Sequence, residues 1–187
     1  ATVRGLQQLS GFRLSPKQWH TIAAKLGSDC PMFLVGGPVI FEGRGDRVTA
    51  VNSALWERLK RYHLLLVTPG YGIPTHWAFS NHKPLGDGTA RLQSAKAALA
   101  AYETGKVDLE VLLQNDFEPL VLRKYLAFAE AKDFLTRELG LPCLLSGSGS
   151  SFFCLSQDRE LLIQAASWVK ESLGSSISCV ETRFSSP

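Results

Sequence analysis

Apolar positions at helical spacing open the chain: Val3, Leu6 and Leu9 recur every third residue and predict a helix over 1–9. Ser15-Pro16 reads as the start of a second helix, with serine at the cap and proline in the first turn. Trp19, Ile22, Ala23 and Leu26 line one face of it, and Gly27 stops it. Residues 30–36 predict a short helix that Gly36-Gly37-Pro38 breaks. Val39-Ile40-Phe41 and Arg47–Val51 then predict two strands around a turn at Glu42–Asp46.

Further on the pattern changes. His63–Thr68 is apolar and strand-like, ended by Pro69-Gly70. A long loop over 71–89 follows, with a short helix at 76–81. Helical segments are expected at about 91–103, 107–114 and 117–139. Pro142–Leu145 and Phe152–Leu155 predict two strands joined by small residues, then a helix at 158–173 and a last strand at 177–182. From residue 62 the order is strand, helices, strand, strand, helix, strand, which fits a two-layer α+β domain with a split βαβ arrangement. The polar stretch 52–62 marks the expected domain boundary.

Composition changes this picture little. The 187 residues are 45% hydrophobic and 20% charged, enough to bury a real core. A net charge of +3 with scattered basic residues gives no case for nucleic acid. No apolar run approaches the ~20 residues that span a bilayer, so no membrane partner is expected. Cys30, Cys143, Cys154 and Cys179 lack CxxC spacing, and the apolar flanks of Cys143 and Cys154 suggest buried reduced thiols in a cytoplasmic setting.

Four segments could carry chemistry. Asp29, between Gly27-Ser28 and Cys30-Pro31, reads as a helix cap, as a general base for a substrate hydroxyl, or as both. Ser146-Gly147-Ser148-Gly149-Ser150-Ser151 lacks the spacing of a Walker loop. It reads as a plain strand connection or as a nest of amides for an anion. After a buried strand, Trp77 or Phe79 reads as core packing, or else Thr75 reads as a hydroxyl and Phe79 as a flat face for a base or ring. Asn115 or Asp116 reads as a cap for the helix that follows, and Asp116 with Glu118 as conceivable cation ligands. No pair of histidines has metal spacing.

In order along the chain, Gly27-Ser28-Asp29-Cys30-Pro31-Met32-Phe33, Gly43-Arg44-Gly45-Asp46, Ile73-Pro74-Thr75 with Phe79, Asn115-Asp116-Phe117-Glu118 and Leu145–Ser151 closely resemble the GHMP kinase superfamily. The Asn-Asp-Phe-Glu and Ile-Pro-Thr pieces resemble the branch acting on cytidine-diphosphate-linked methylerythritol in non-mevalonate isoprenoid biosynthesis. The resemblance implies the C-terminal part of a ribosomal-protein-like α+β domain over 1–56 and a ferredoxin-like GHMP kinase domain over 57–187. It implies ATP and Mg²⁺ as cofactors and transfer of the γ-phosphoryl group to the 2-hydroxyl of the substrate. It makes Asp29 the base, Thr75 and Phe79 substrate contacts, and Ser146, Gly147, Ser148, Gly149 and Ser150 a phosphate-proximal loop. A cytoplasmic or, in a plant or alga, plastid location follows from the same resemblance.

The resemblance starts after the family's first third. Its catalytic lysine and its Gly-Leu-Gly-Gly-Gly-Ser-Ser-type phosphate loop have no counterpart in these 187 residues. Two other readings therefore stand beside the kinase: a catalytically incomplete fragment or ligand-binding module, and a GHMP kinase for homoserine, mevalonate or a sugar.

Overall fold

A computed structural model describes residues 2–35, 37–43, 47–51, 53–83, 86–174 and 176–184. Gly36 and the turn residues Arg44, Gly45 and Asp46 fall outside the described residues. The chain divides into two compact units, Ala1–Trp56 and Glu57–Ser185.

The first unit opens with α1 (Thr2–Ser10) and α2 (Pro16–Leu26). Ser15 starts α2 as its sequence suggests. Its hydroxyl accepts from the Gln18 amide, and the Gln18 side chain accepts from the Ser15 amide at 2.8 Å, a reciprocal capping box. Gly27 ends the helix by donating to Ala23 O. The short α3 (Met32–Val35) follows, then an antiparallel hairpin of β1 (Val39–Glu42) and β2 (Arg47–Ala50). The stretch expected to be a polar connection holds α4 (Ser53–Leu59). Leu55 there is buried, and Arg58 lies over the Tyr102 ring and donates to Tyr102 O.

The second unit is a four-stranded antiparallel sheet covered by helices. It comprises β3 (His63–Thr68), α5 (Thr75–Asn81), α6 (Gly88–Glu103), a 3₁₀ turn (Leu109–Leu112), α7 (Glu118–Lys124), α8 (Leu126–Arg137), β4 (Cys143–Leu145), β5 (Phe152–Ser156), α9 (Arg159–Leu173) and β6 (Ser178–Arg183). The strand order is β4-β5-β3-β6. β4 and β3 both run antiparallel to the β5 between them, so they are parallel to each other and joined by the helical crossover. That is the split βαβ of a ferredoxin-like α+β domain.

Register explains the core. Leu145, Phe152, Val67 and Cys179 form one row across the sheet, and Cys143, Cys154, Leu65 and Glu181 the next. The side chains of Leu65, Val67, Cys143, Leu145, Phe152 and Cys154 are buried with Phe128 and Leu135 of α8 and Leu162, Ala165 and Val169 of α9. The Phe128 and Phe152 rings lie 4.8 Å apart. Cys143 and Cys154 are buried and free, as their apolar flanks suggest.

Two helical expectations need correction. The segment 117–139 is not one helix: Tyr125, at φ −107° and ψ 79°, separates α7 from α8. Its ring stacks on Tyr71 at 5.7 Å, a tertiary contact that local propensity does not encode. The segment 107–114 holds only the 3₁₀ turn.

Candidate functional site

Serine-rich loop, short helix and acidic turn meet in the second unit. The loop 146–151 joins β4 to β5 and is closed by Ser146 N–H donating to Ser151 O at 2.9 Å. Gly149 N–H donates to Ser146 O at 3.0 Å, and Gly147 and Gly149 adopt φ of +56° and +84°. At Gly149 the left-handed φ favours glycine, and a Cβ would lie 2.9 Å from Ile73 Cδ1 and 3.0 Å from Leu145 Cδ1, so these side-chain ends would have to give.

Three loop serines reach the segment that leaves β3. Ser151 Oγ donates to Thr68 Oγ1 at 3.2 Å, Ser150 Oγ donates to Tyr71 O, and Ser148 Oγ stands 3.3 Å from Thr75 Oγ1. Thr75 opens α5 and Phe79 stands one turn further on, so both share a face. The Phe79 ring is 65% exposed and meets the Phe117 ring edge-on at 4.9 Å. An exposed ring backed by another ring can present a flat face to a planar ligand. The structure thus brings Thr75, Phe79 and the loop together.

The acidic turn organises this arrangement. β4 is an edge strand, and its bonds to β5 use Pro142 and Ser146, which turns the backbone of Leu145 toward the open edge. Glu118 Oε1 accepts from Leu145 N–H at 3.0 Å, and Asn115 Nδ2 donates to Leu145 O at 2.7 Å and to Gly147 O at 2.8 Å. Two side chains therefore stand where a fifth strand would. Asn115 Oδ1 also accepts from Phe117 N–H at 2.9 Å.

Asn115 therefore caps the turn that leads into α7, and it is the cap reading of Asp116 that is corrected here. Phe117 is the N-cap of α7 and makes no side-chain cap. Asp116 instead receives a two-pronged hydrogen bond from Arg91, which holds its carboxyl below the usual carboxylate range. Glu118 pairs with Lys132 at 2.5 Å. Both carboxylates are thus committed to cations of the chain. Among the described residues, no group of three or more His, Cys, Asp or Glu gathers where a metal ion could sit.

Aromatic groups flank the loop. Tyr125 meets Trp77 edge-on at 6.1 Å, and Lys124 Nζ lies 3.9 Å from the Trp77 ring centre. Burial, then the neighbouring Tyr125, pushes the Tyr71 hydroxyl pKa up. Arg91, Lys132, Tyr71 and Tyr125 carried no motif in the sequence. Their contacts cross wide sequence separations that no local pattern marks.

Asp29 lies in the first unit, in the turn between α2 and α3. Its carboxylate is exposed and accepts from Ser28 Oγ at 3.2 Å, rather than from the amides of α3. A cavity of about 440 Å³ in this unit is lined by Trp19, His20, Pro31 and Leu34, and Asp29 is not among its lining residues.

The fold and the loop architecture define a class. Residues 95–173 match the family model described as GHMP kinases C terminal, and the chain carries that C-terminal domain. Among particular proteins, a 4-diphosphocytidyl-2-C-methyl-D-erythritol kinase of Geobacter sp. (strain M21) is 29% identical over 181 residues, which cover 95% of this chain and 60% of the relative. A crystal structure of 4-(cytidine 5'-diphospho)-2C-methyl-D-erythritol kinase superposes with a TM-score of 0.66 at 23% identity, over 95% of this chain and 60% of that one. A homoserine kinase from Cytophaga hutchinsonii gives 0.69 at 17% identity, over 97% and 61%. At those identities the two structures speak for the fold. The chain spans about 60% of the length of each of these proteins.

Proposed function

We propose that this chain is part of a small-molecule kinase that moves the γ-phosphoryl group of ATP to the 2-hydroxyl of 4-diphosphocytidyl-2-C-methyl-D-erythritol. The observation that carries this reading is the contact of Thr75 with Ser148, which joins the expected substrate helix to the expected phosphate loop. The substrate named for the relatives supports the cytidine diphosphate part.

Roles follow from chemistry. Phe79, exposed beside Phe117, offers stacking to the cytosine, worth about 1–3 kcal/mol. Thr75 offers a hydroxyl at the same rim. The alternation of serines with left-handed glycines in Ser146–Ser150 suits a phosphate, because backbone and hydroxyls can approach an anion closely. ATP supplies the phosphoryl group. Asp29 accepts the proton of the substrate hydroxyl; exposed and bonded to one neighbouring hydroxyl, its carboxylate keeps acceptor capacity for that proton. Mg²⁺, held chiefly by the phosphates of ATP, would neutralise charge on the transferred group.

The test has two arms. The full-length protein is incubated with ATP and the cytidine-diphosphate substrate and assayed for ADP, beside Asp29→Asn. Turnover in the parent and its loss in the variant support the reading; equal turnover removes Asp29 from the reaction. Fluorescence titration of this chain with cytidine diphosphate, then with ATP, separates a binding module from a kinase. Binding of the cytidine compound with no turnover identifies the module.

A further inference from the structure

We propose that Arg91 is a positioning residue for this site, acting through Asp116 on both the serine–glycine loop and the Phe79 ring. The proposal rests on the functional reading above for what the site binds, but its geometry stands by itself.

Arg91 lies in the first turn of α6, whose start is fixed by Asp87: the Asp87 carboxylate accepts from Thr89 N–H at 2.9 Å and its carbonyl from Arg91 N–H at 3.1 Å. From that anchored turn both terminal nitrogens of the guanidinium reach the Asp116 carboxylate. A two-pronged, planar pairing fixes the carboxylate's orientation as well as its position.

Asp116 is the middle residue of three. On one side, Asn115 holds the carbonyls of Leu145 and Gly147. On the other, Phe117 backs the ring of Phe79. Residues 113–117 belong to no helix or strand, so side-chain anchors decide their path. A cavity of about 550 Å³ lies beside them, bordered by Gly88, Arg91, Ser94 and Gln114. Packing therefore does not hold the segment on that side, and without Arg91 it has room to move. A half-exposed ion pair adds little to global stability. What Arg91 contributes is the placement of Asn115 and Phe117 relative to each other.

The experiment uses ¹⁵N-labelled chain with Arg91→Ala, Arg91→Lys and the reversed pair Arg91→Asp with Asp116→Arg. In Arg91→Ala the amide resonances of Gly147 and Ser148 and the side-chain amide of Asn115 shift, while those of Leu135 and Val169 stay in place. Arg91→Lys recovers part of the shift, because a point charge cannot reproduce the fork. The reversed pair recovers most of it. Cytidine diphosphate, followed by isothermal titration, binds about tenfold more weakly to Arg91→Ala with an unchanged melting temperature. Unmoved Gly147 and Ser148 resonances in Arg91→Ala overturn the proposal, as does a shift spread equally over the core. If the parent chain fails to bind cytidine diphosphate, the functional reading fails, and the resonances still decide the role of Arg91.

Discussion

The side-chain amide of Asn115 stands 2.7 Å from the carbonyl oxygen of Leu145, at the open edge of the sheet. The same nitrogen reaches Gly147 O at 2.8 Å, so one side chain closes the strand and sets the first residues of the loop. Asn115→Ala leaves a part-buried carbonyl without its donor, at a cost of about 1–3 kcal/mol. Asn115→Asp is worse, since a carboxylate then faces two carbonyls. Urea unfolding gives the cost, and faster proteolysis within 146–151 locates it.

Two glycines in the loop are expected to differ in their tolerance of alanine. At Gly147 a Cβ has open space, so Gly147→Ala carries only the left-handed penalty of about 1–2 kcal/mol. At Gly149 the same penalty is joined by contacts of 2.9 Å with Ile73 and 3.0 Å with Leu145. Gly149→Ala therefore lowers the melting temperature clearly more than Gly147→Ala. Equal melting temperatures would mean that the loop relaxes around residue 149.

Acid should loosen the Arg91–Asp116 pairing. The hydrogen bond from Arg91 lowers the Asp116 pKa below 3.8, so the unfolded chain takes up this proton more readily than the folded one. The contribution is complete above pH 3.8 and is lost as pH falls through the folded value. Glu181, lowered from 4.5 chiefly by its hydrogen bond from Arg159, acts in the same direction. Because the pair is part-exposed and contributes little, Asp116→Asn should flatten the fall of stability between about pH 5 and pH 2 only slightly. Denaturant midpoints measured at each pH give the slope.

Much of this architecture is legible in the sequence, and its gaps have physical causes. Ser15-Pro16, the strand at 63–68 and the order of elements after it rest on local signals, and the structure carries them. The break at Tyr125 rests on stacking with Tyr71, more than fifty residues earlier, and left no trace in an apolar periodicity that runs through it. Asn115 does accept from Phe117 N–H as a cap would, but its role at the sheet edge and the pairing of Asp116 are not legible in the sequence. The partners of these two residues, the backbone at 145–147 and Arg91, exist only once the chain has folded. Thr75 and the serine loop could be paired beforehand only through a family resemblance, since no spacing within the chain announces that Thr75 meets Ser148.

The thiols of Cys143 and Cys154 face each other across β4 and β5. The Cys143 side chain, then burial, raises the Cys154 pKa far above its usual 9.0. A thiol that does not ionise is a poor nucleophile. Native protein at pH 8 should therefore resist iodoacetamide at Cys154, and at Cys143 because it is buried, while the half-exposed Cys30 reacts. Both should become reactive in urea, and mass spectrometry of the digested protein reads each site. Rapid native labelling at residue 154 would show that the sheet opens often.

Phe79 offers the means to separate binding from folding. Its ring is 65% exposed and rests on Phe117 by one edge, so Phe79→Ala removes little buried surface. An aromatic pair of that geometry is worth about 0.5–1.5 kcal/mol, and the change in unfolding free energy should stay within that range. Loss of a stacked base removes about 1–3 kcal/mol of binding, or roughly a 5- to 150-fold rise in Kd for cytidine diphosphate. Phe79→Tyr keeps the flat face and should keep the affinity. Isothermal titration of the three proteins measures the effect directly. If Phe79→Ala binds as tightly as the parent, the exposed face of this ring is not where the base stacks, and the substrate reading of α5 loses its main support.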